Sequence, residues 1–122
     1  MSDPDTASAL AHIERLSKLL DGPRDGALLR YSLGLEWLKA GDPARAAEFL
    51  REAVTRQADY SAAWKQLGHA LQQSGDAAGA IAAWQEGMRV AEARGDVQAG
   101  KEMGVFVRRL EKLQAQALAE KN

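Results

Sequence analysis

Two stretches of the chain decide its fold: residues 33–46 read LGLEWLKAGDPARA, and residues 67–80 read LGHALQQSGDAAGA. The second stretch begins 34 residues after the first, and in that register segments 27–60 and 61–94 share seven identities. Each segment holds two runs of apolar residues at helical spacing, separated by a Gly-Asp pair. Glycine suits the left-handed end of a helix, and aspartate caps the helix that follows. The pattern predicts two copies of a helix–turn–helix unit.

The composition favours one helical domain and excludes several kinds of chemistry. A chain of 122 residues is the length of a single domain, and it contains no cysteine, which excludes disulfides and cysteine nucleophiles. With 16 basic and 17 acidic side chains, the net charge is −1, so we expect neither nucleic acid nor membrane as a partner. The first residues lack the basic and apolar pattern of a secretory signal, and we therefore expect a cytoplasmic protein.

The second copy carries large and small residues at characteristic spacings, namely Trp64, Leu67, Gly68, Leu71, Ala80 and Trp84. These spacings resemble the tetratricopeptide repeat (TPR), whose pattern is W-x2-L-G-x2-Y followed by A-x3-F and a proline. The first copy matches at Leu33, Gly34, Trp37, Ala46 and Leu50. It departs at Arg30, which replaces the first tryptophan, and both copies lack the closing proline. The chain thus resembles a small TPR protein of bacterial type.

The resemblance implies an all-α fold, a right-handed α-α superhelix of about six helices. We expect a single domain over residues 1–122, with a capping helix over 5–20, repeat 1 over 27–60, repeat 2 over 61–94 and a C-terminal helix over 97–119. Small residues predict close helix packing, with Gly34 against Ala46 and Gly68 against Ala80. Trp84 is predicted to lie in the core.

The C-terminal helix carries a second pattern with two interpretations. Apolar residues follow 3-4 spacing at Met103, Phe106, Leu110, Leu113 and Ala117. This stripe either packs back onto repeat 2 or forms the seam of a homodimer.

In TPR proteins the first helices of successive repeats line a concave groove that binds a partner peptide. By this resemblance the groove residues are Leu28, Tyr31, Leu35 and Leu38 in repeat 1, Lys65, Gln66, His69 and Gln72 in repeat 2, and Lys101, Arg108 and Arg109 in the last helix. This series runs from apolar to polar to basic, which favours a partner with an apolar segment followed by acidic residues or a free C-terminus. Alternatively, the N-terminal helix or a second subunit covers Leu28 and Leu35.

The sequence shows no pattern typical of catalysis. His12 and His69 lie in separate predicted helices without a paired nucleophile, and no glycine-rich phosphate loop is present. We therefore expect no enzyme activity, no cofactor and no metal site. The predicted function is a non-catalytic adaptor or scaffold that binds a partner protein. The alternatives are a structural homodimer, through the C-terminal helix or the apolar face of repeat 1, and a secretion-type chaperone.

Overall fold

A computed structural model describes residues 3–121 and shows six α-helices and no strand within that range. The helices are α1 Pro4–Ser17, α2 Ala27–Lys39, α3 Pro43–Arg56, α4 Ser61–Gln73, α5 Ala77–Arg94 and α6 Val97–Lys121. The predicted all-α solenoid is confirmed. Helix α1 begins at Pro4 because the carboxylate of Asp3 accepts the Thr6 N–H at 2.7 Å, and it ends at Ser17, with residues 18–20 forming a turn.

The Gly-Asp pairs end one helix and begin the next. Gly41 and Gly75 adopt φ of 82° and 90°, a left-handed conformation that other residues rarely take. The carboxylate of Asp42 then accepts the Arg45 N–H at 3.0 Å, and that of Asp76 accepts the Gly79 N–H at 2.8 Å. These two turns make α2–α3 and α4–α5 equivalent helical hairpins.

Each helix packs mainly against its neighbours in sequence, which produces two apolar clusters. The smaller cluster lies at the α1 end and is built around Ile13, Leu29 and Leu33. The larger cluster extends from α3 to α6, and Trp84, 1% exposed, is its largest side chain. Trp37 packs against both clusters and joins them.

The glycines permit close packing, but against larger partners than the sequence predicts. A Cβ on Gly34 would overlap the side chain of Leu50, and a Cβ on Gly68 would overlap that of Trp84. The predicted partners Ala46 and Ala80 lie one turn earlier on the same helices. Because helical side chains lean toward the N-terminus, the large residues reach back over these alanines to the facing glycine.

Arg30, which replaces the repeat tryptophan, is buried as part of an ionic network. Its Nη2 and Nε atoms bind the two carboxylate oxygens of Asp25 at 2.6 and 3.0 Å, and its Nη1 atom binds Glu52 of α3. The Asp25 carboxylate also accepts the Asp21 N–H at 2.8 Å. Hydrogen bonding to Arg30, and then to this N–H, holds the pKa of Asp25 well below its usual range. A charged side chain thus ties the α1–α2 loop to α3.

Helix α6 is packed along its first half and projects along its second. Met103 and Leu110 are buried against the rest of the chain, whereas Leu113 is 50% exposed and Ala117 is exposed. The first half of this stripe thus packs within one chain, and the interpretation of its exposed second half as a dimer seam remains a prediction. Residues 111–121 are exposed throughout, and we call them the α6 overhang.

Candidate functional site

The first helices of the hairpins lie side by side, since α4 contacts both α2 and α6. We call the surface that they share the A face. At its α2 end, Leu28 is 69% exposed, while Leu35 and Leu38 are half-buried. The ring of Tyr31 packs on that of Tyr60, with centroids 4.9 Å apart. Helix α1 packs on the Leu29 side of α2, so it does not cover Leu28.

In the middle of the A face, a histidine fills the space between two aromatic rings. The centroid of the His69 ring lies 4.7 Å from that of Phe106 and 5.3 Å from that of Trp84. Burial lowers the pKa of His69, and the positive charge of Lys65 lowers it further. Gln66 is half-buried and Gln72 is exposed on the same helix. His69 is therefore mainly uncharged at neutral pH and contributes an aromatic surface to the A face.

Lys65 is paired within the chain. Its Nζ atom lies 2.7 Å from Oε2 of Glu102 on α6, and Nε2 of Gln98 donates to Oε1 of Glu102 at 3.3 Å. These bonds, with that from Lys65 the stronger, lower the pKa of Glu102. The positive charge of Lys65 is thus largely compensated before any partner binds.

Lys101 and Arg108, two of the three cations assigned to the basic end of the groove, both lie near Met88 of α5. Lys101 lines a cleft between α5 and α6 that Met88 also borders. Nη1 of Arg108 lies 3.3 Å from the position that a Cβ on Gly104 would occupy, also beside Met88. Arg109 follows Phe106 by three residues and therefore shares its face. Arg109 thus borders the A face by its spacing from Phe106, and the predicted basic end of the groove remains a prediction.

Sequence reasoning missed two residues that build the A face, Glu102 and Phe106. Glu102 follows Gln66 by 36 residues, the spacing that also relates the Leu67-Gly68 and Met103-Gly104 pairs. That offset could have placed Glu102 on the A face of α6. Its ion pair with Lys65 could not be predicted in this way, because it depends on the distance between α4 and α6.

A second polar group lies between α1 and α2, where Nδ1 of His12 is 3.4 Å from Oε2 of Glu36. Lys39 approaches the other oxygen of Glu36 at 3.4 Å, and Asp5 and Ser8 line the same cleft. Over residues 3–121, no group of three or more histidine, aspartate or glutamate side chains has an arrangement suited to a metal ion. No helix in that range is both long and apolar enough to cross a bilayer.

The hairpins, the glycine contacts and the A face are those of the repeat that the sequence resembles. The TPR repeat-containing protein PA0015 of Pseudomonas aeruginosa is 51% identical over 100 residues, which cover 82% of this chain and 95% of that protein. The chain is a TPR protein. No protein-family model matches the chain.

Solved structures agree with this family. The solution structure of protein BPP2914 from Bordetella parapertussis superposes with a TM-score of 0.74 at 42% identity, and it covers 85% of this TPR chain and 90% of its own. The crystal structure of the Sgt2 TPR domain from Aspergillus fumigatus gives a TM-score of 0.73 at 22% identity, with 93% and 77% of the two chains covered. TPR proteins generally mediate protein–protein interaction and are non-catalytic.

Proposed function

We propose that this TPR protein is a non-catalytic adaptor or scaffold that binds a segment of a partner protein along the A face. The observation that carries the proposal is the 69% exposure of Leu28 beside half-buried Tyr31 and Leu35. Exposed apolar side chains grouped on one surface favour an interaction site over a solvated face. An apolar segment of the partner would cover them.

The charges of the A face support a modest preference for acidic partners. Arg109 is exposed beside Phe106, whereas Lys65 is compensated by Glu102. A partner carboxylate following the apolar segment, from an acidic side chain or a free C-terminus, would reach Arg109 and compete for Lys65. The proposed contact set is therefore Leu28, Tyr31, Leu35, Leu38, Gln66, His69, Gln72 and Arg109, with Lys65 as an exchangeable member.

The surface of three short helices suits a weak complex. A total buried area near or below about 1,200 Å² is typical of transient interactions. A secretion-type chaperone that holds an apolar segment would use the same surface. The expected compartment, the cytoplasm, remains a prediction.

Immobilised peptides, followed by fluorescence anisotropy of the best binders, test the proposal. We expect Leu28→Glu to weaken binding at least about tenfold, equivalent to about 1.4 kcal/mol. Leu10→Glu is the matched control, because Leu10 is 46% exposed on α1, away from the A face. Equal binding by the Leu28→Glu and Leu10→Glu variants would contradict the proposed surface.

The charge preference has a separate test. Arg109→Glu should weaken binding of peptides with acidic ends more than that of the same peptides with neutral, amidated ends. Arg51→Glu makes the same charge change at an exposed position on α3, outside the A face. If both variants bind both peptide sets alike, Arg109 does not select acidic partners.

A further inference from the structure

We propose that a second copy of this chain docks antiparallel on a different surface, the outer face of α6. The outer face comprises the exposed residues Val97, Lys101, Arg108, Glu111, Ala115 and Leu118, together with Gly104, which is buried in the middle of the stripe. These positions alternate in steps of four and three, so they form one continuous stripe along the helix. The stripe is separate from the Met103–Leu110 stripe that packs inside the chain, and from the A face.

At its first half the outer face borders an open cleft. The cleft lies between α5 and α6 and is lined by Met88, Glu92, Gly95, Asp96, Val97, Gly100 and Lys101. Val97 is 66% exposed, and Met88 is half-buried at its wall. Beside it, only the ends of the Met88 and Arg108 side chains approach the Cβ position of Gly104 among the described residues. Gly104 is itself buried beneath these two side chains, so a second helix would contact α6 here through Met88 and Arg108.

At its second half the outer face belongs to the α6 overhang. Residues 111–121 are exposed, and Leu118 is 64% exposed on the stripe. One helix thus carries an open cleft at one end and an unpartnered leucine at the other. A two-fold axis near the middle of α6 places each overhang on the cleft of the other copy. One closed interface then covers both the cleft and the exposed leucine of each chain.

Charge selects this antiparallel arrangement. In the register centred between positions 109 and 110, Arg108 faces the partner's Glu111, and Glu111 faces the partner's Arg108. Both side chains are exposed, and no ion pair within residues 3–121 involves either of them. A parallel, in-register pair would instead place two Arg108 side chains together, which is unfavourable.

The same register matches the remaining positions by size. Ala115 of each copy lies over the partner's Gly104, where its methyl group packs on the Met88 and Arg108 side chains that cover this buried glycine. Lys101 faces the partner's Leu118, so the aliphatic stem of the lysine covers the leucine. The apolar area is small, and we expect a weak dimer whose population rises with concentration.

Sedimentation equilibrium from about 10 µM to about 1 mM tests the dimer in the range of weak complexes. The average mass should rise from that of one 13.2 kDa chain toward twice that value. Arg108→Glu should keep the chain monomeric, and the charge swap Arg108→Glu with Glu111→Arg should restore the dimer. Arg51→Glu, which makes the same charge change at an exposed position on α3, should leave dimerisation unchanged. A wild-type chain that stays monomeric, or a charge swap that fails to restore the dimer, would overturn the proposal.

A cross-link tests the register. The chain has no cysteine, so Lys101→Cys with Leu118→Cys introduces a unique pair. Within one helix these positions are separated by about 25 Å, too far for a disulfide. Mild oxidation should give a covalent dimer, whereas Lys101→Cys with Leu113→Cys should not. Circular dichroism confirms that each variant is folded. Equal cross-linking of both pairs, or of neither, would contradict the register.

Discussion

Gly68 of α4 lies directly against the indole of Trp84 in α5, so closely that a Cβ on the glycine would overlap the ring. The indole is fixed in this position because its Nε1 atom donates to the carbonyl oxygen of Lys65 at 3.0 Å. This contact sets the distance between the two helices of repeat 2.

Gly68→Ala should lower the free energy of unfolding by about 1–3 kcal/mol, because the added methyl group must displace a buried ring. Gly100→Ala is the matched control. The nearest atom to a Cβ at Gly100 is the Cβ of Ala91 at 3.9 Å, so this variant should gain about 0.5–1 kcal/mol from helix propensity. Urea unfolding measures both changes, and a stabilised Gly68→Ala variant would contradict the tight contact.

Trp84→Ala should cost about 3–5 kcal/mol, since it removes the largest fully buried side chain and leaves a cavity. Leu28→Ala, at a position 69% exposed, should change stability by less than about 0.5 kcal/mol. Thermal unfolding of the two variants gives the comparison. An unchanged melting curve for Trp84→Ala would contradict its place in the core.

Trp84 and Trp37 should differ in how much stability is lost when each is replaced by phenylalanine. Nε1 of Trp37 is buried and has no hydrogen-bond acceptor among residues 3–121, whereas Nε1 of Trp84 has one. Trp84→Phe should therefore lose about 1 kcal/mol, and Trp37→Phe should be neutral or slightly stabilising. Urea midpoints measure the difference, and a larger loss at Trp37 would reveal an acceptor for its N–H.

The pair of Asp25 and Arg30 predicts acid sensitivity. The folded-state pKa of Asp25 is lowered, so the stability due to this pair is present above about pH 3.9 and is lost as pH falls through the folded-state value. Arg30→Met should be less stable than the wild type at pH 6, and the difference should shrink toward pH 2. Urea unfolding across this range provides the measurement, and a constant difference would exclude the linkage.

His69 predicts a second, milder pH dependence. Its folded-state pKa is lowered, so the unfolded chain takes up the proton first, and stability should fall as pH drops below about 6.5. In His69→Gln this part of the dependence should disappear. The ring resonances of His69 in NMR should titrate with a midpoint below 6.5. A midpoint at or above that value would contradict its burial between Trp84 and Phe106.

The fold follows from short-range signals, and the sequence therefore predicts most of it. Gly41-Asp42 and Gly75-Asp76 mark the turns, and the 34-residue spacing places Leu33 and Leu67 in the core. What escapes prediction depends on side-chain length. Leu50 and Trp84 reach past the alanines to the facing glycines, a detail that repeat spacing alone does not contain.

The surface is harder to predict because a shift of one helical position changes the neighbour of a side chain. Arg108 and Arg109 are adjacent in sequence, yet one lies beside Gly104 and the other shares the face of Phe106. Lys65 is an apparently free cation in the sequence, and its pairing with Glu102 requires the packing of α4 against α6. The peptide-binding role of these residues remains a prediction.

Because each helix packs mainly against its sequence neighbours, one helix can unfold locally while the others stay folded. Such a linear array loses structure from its ends, where α1 contacts only α2 among the described helices and α6 packs mainly against α5. Amide hydrogens of α1 and of the α6 overhang should exchange with deuterium fastest, and those of α4 and α5 slowest. Local stability should therefore fall gradually from the helical turns around Trp84 toward the two ends of the described chain.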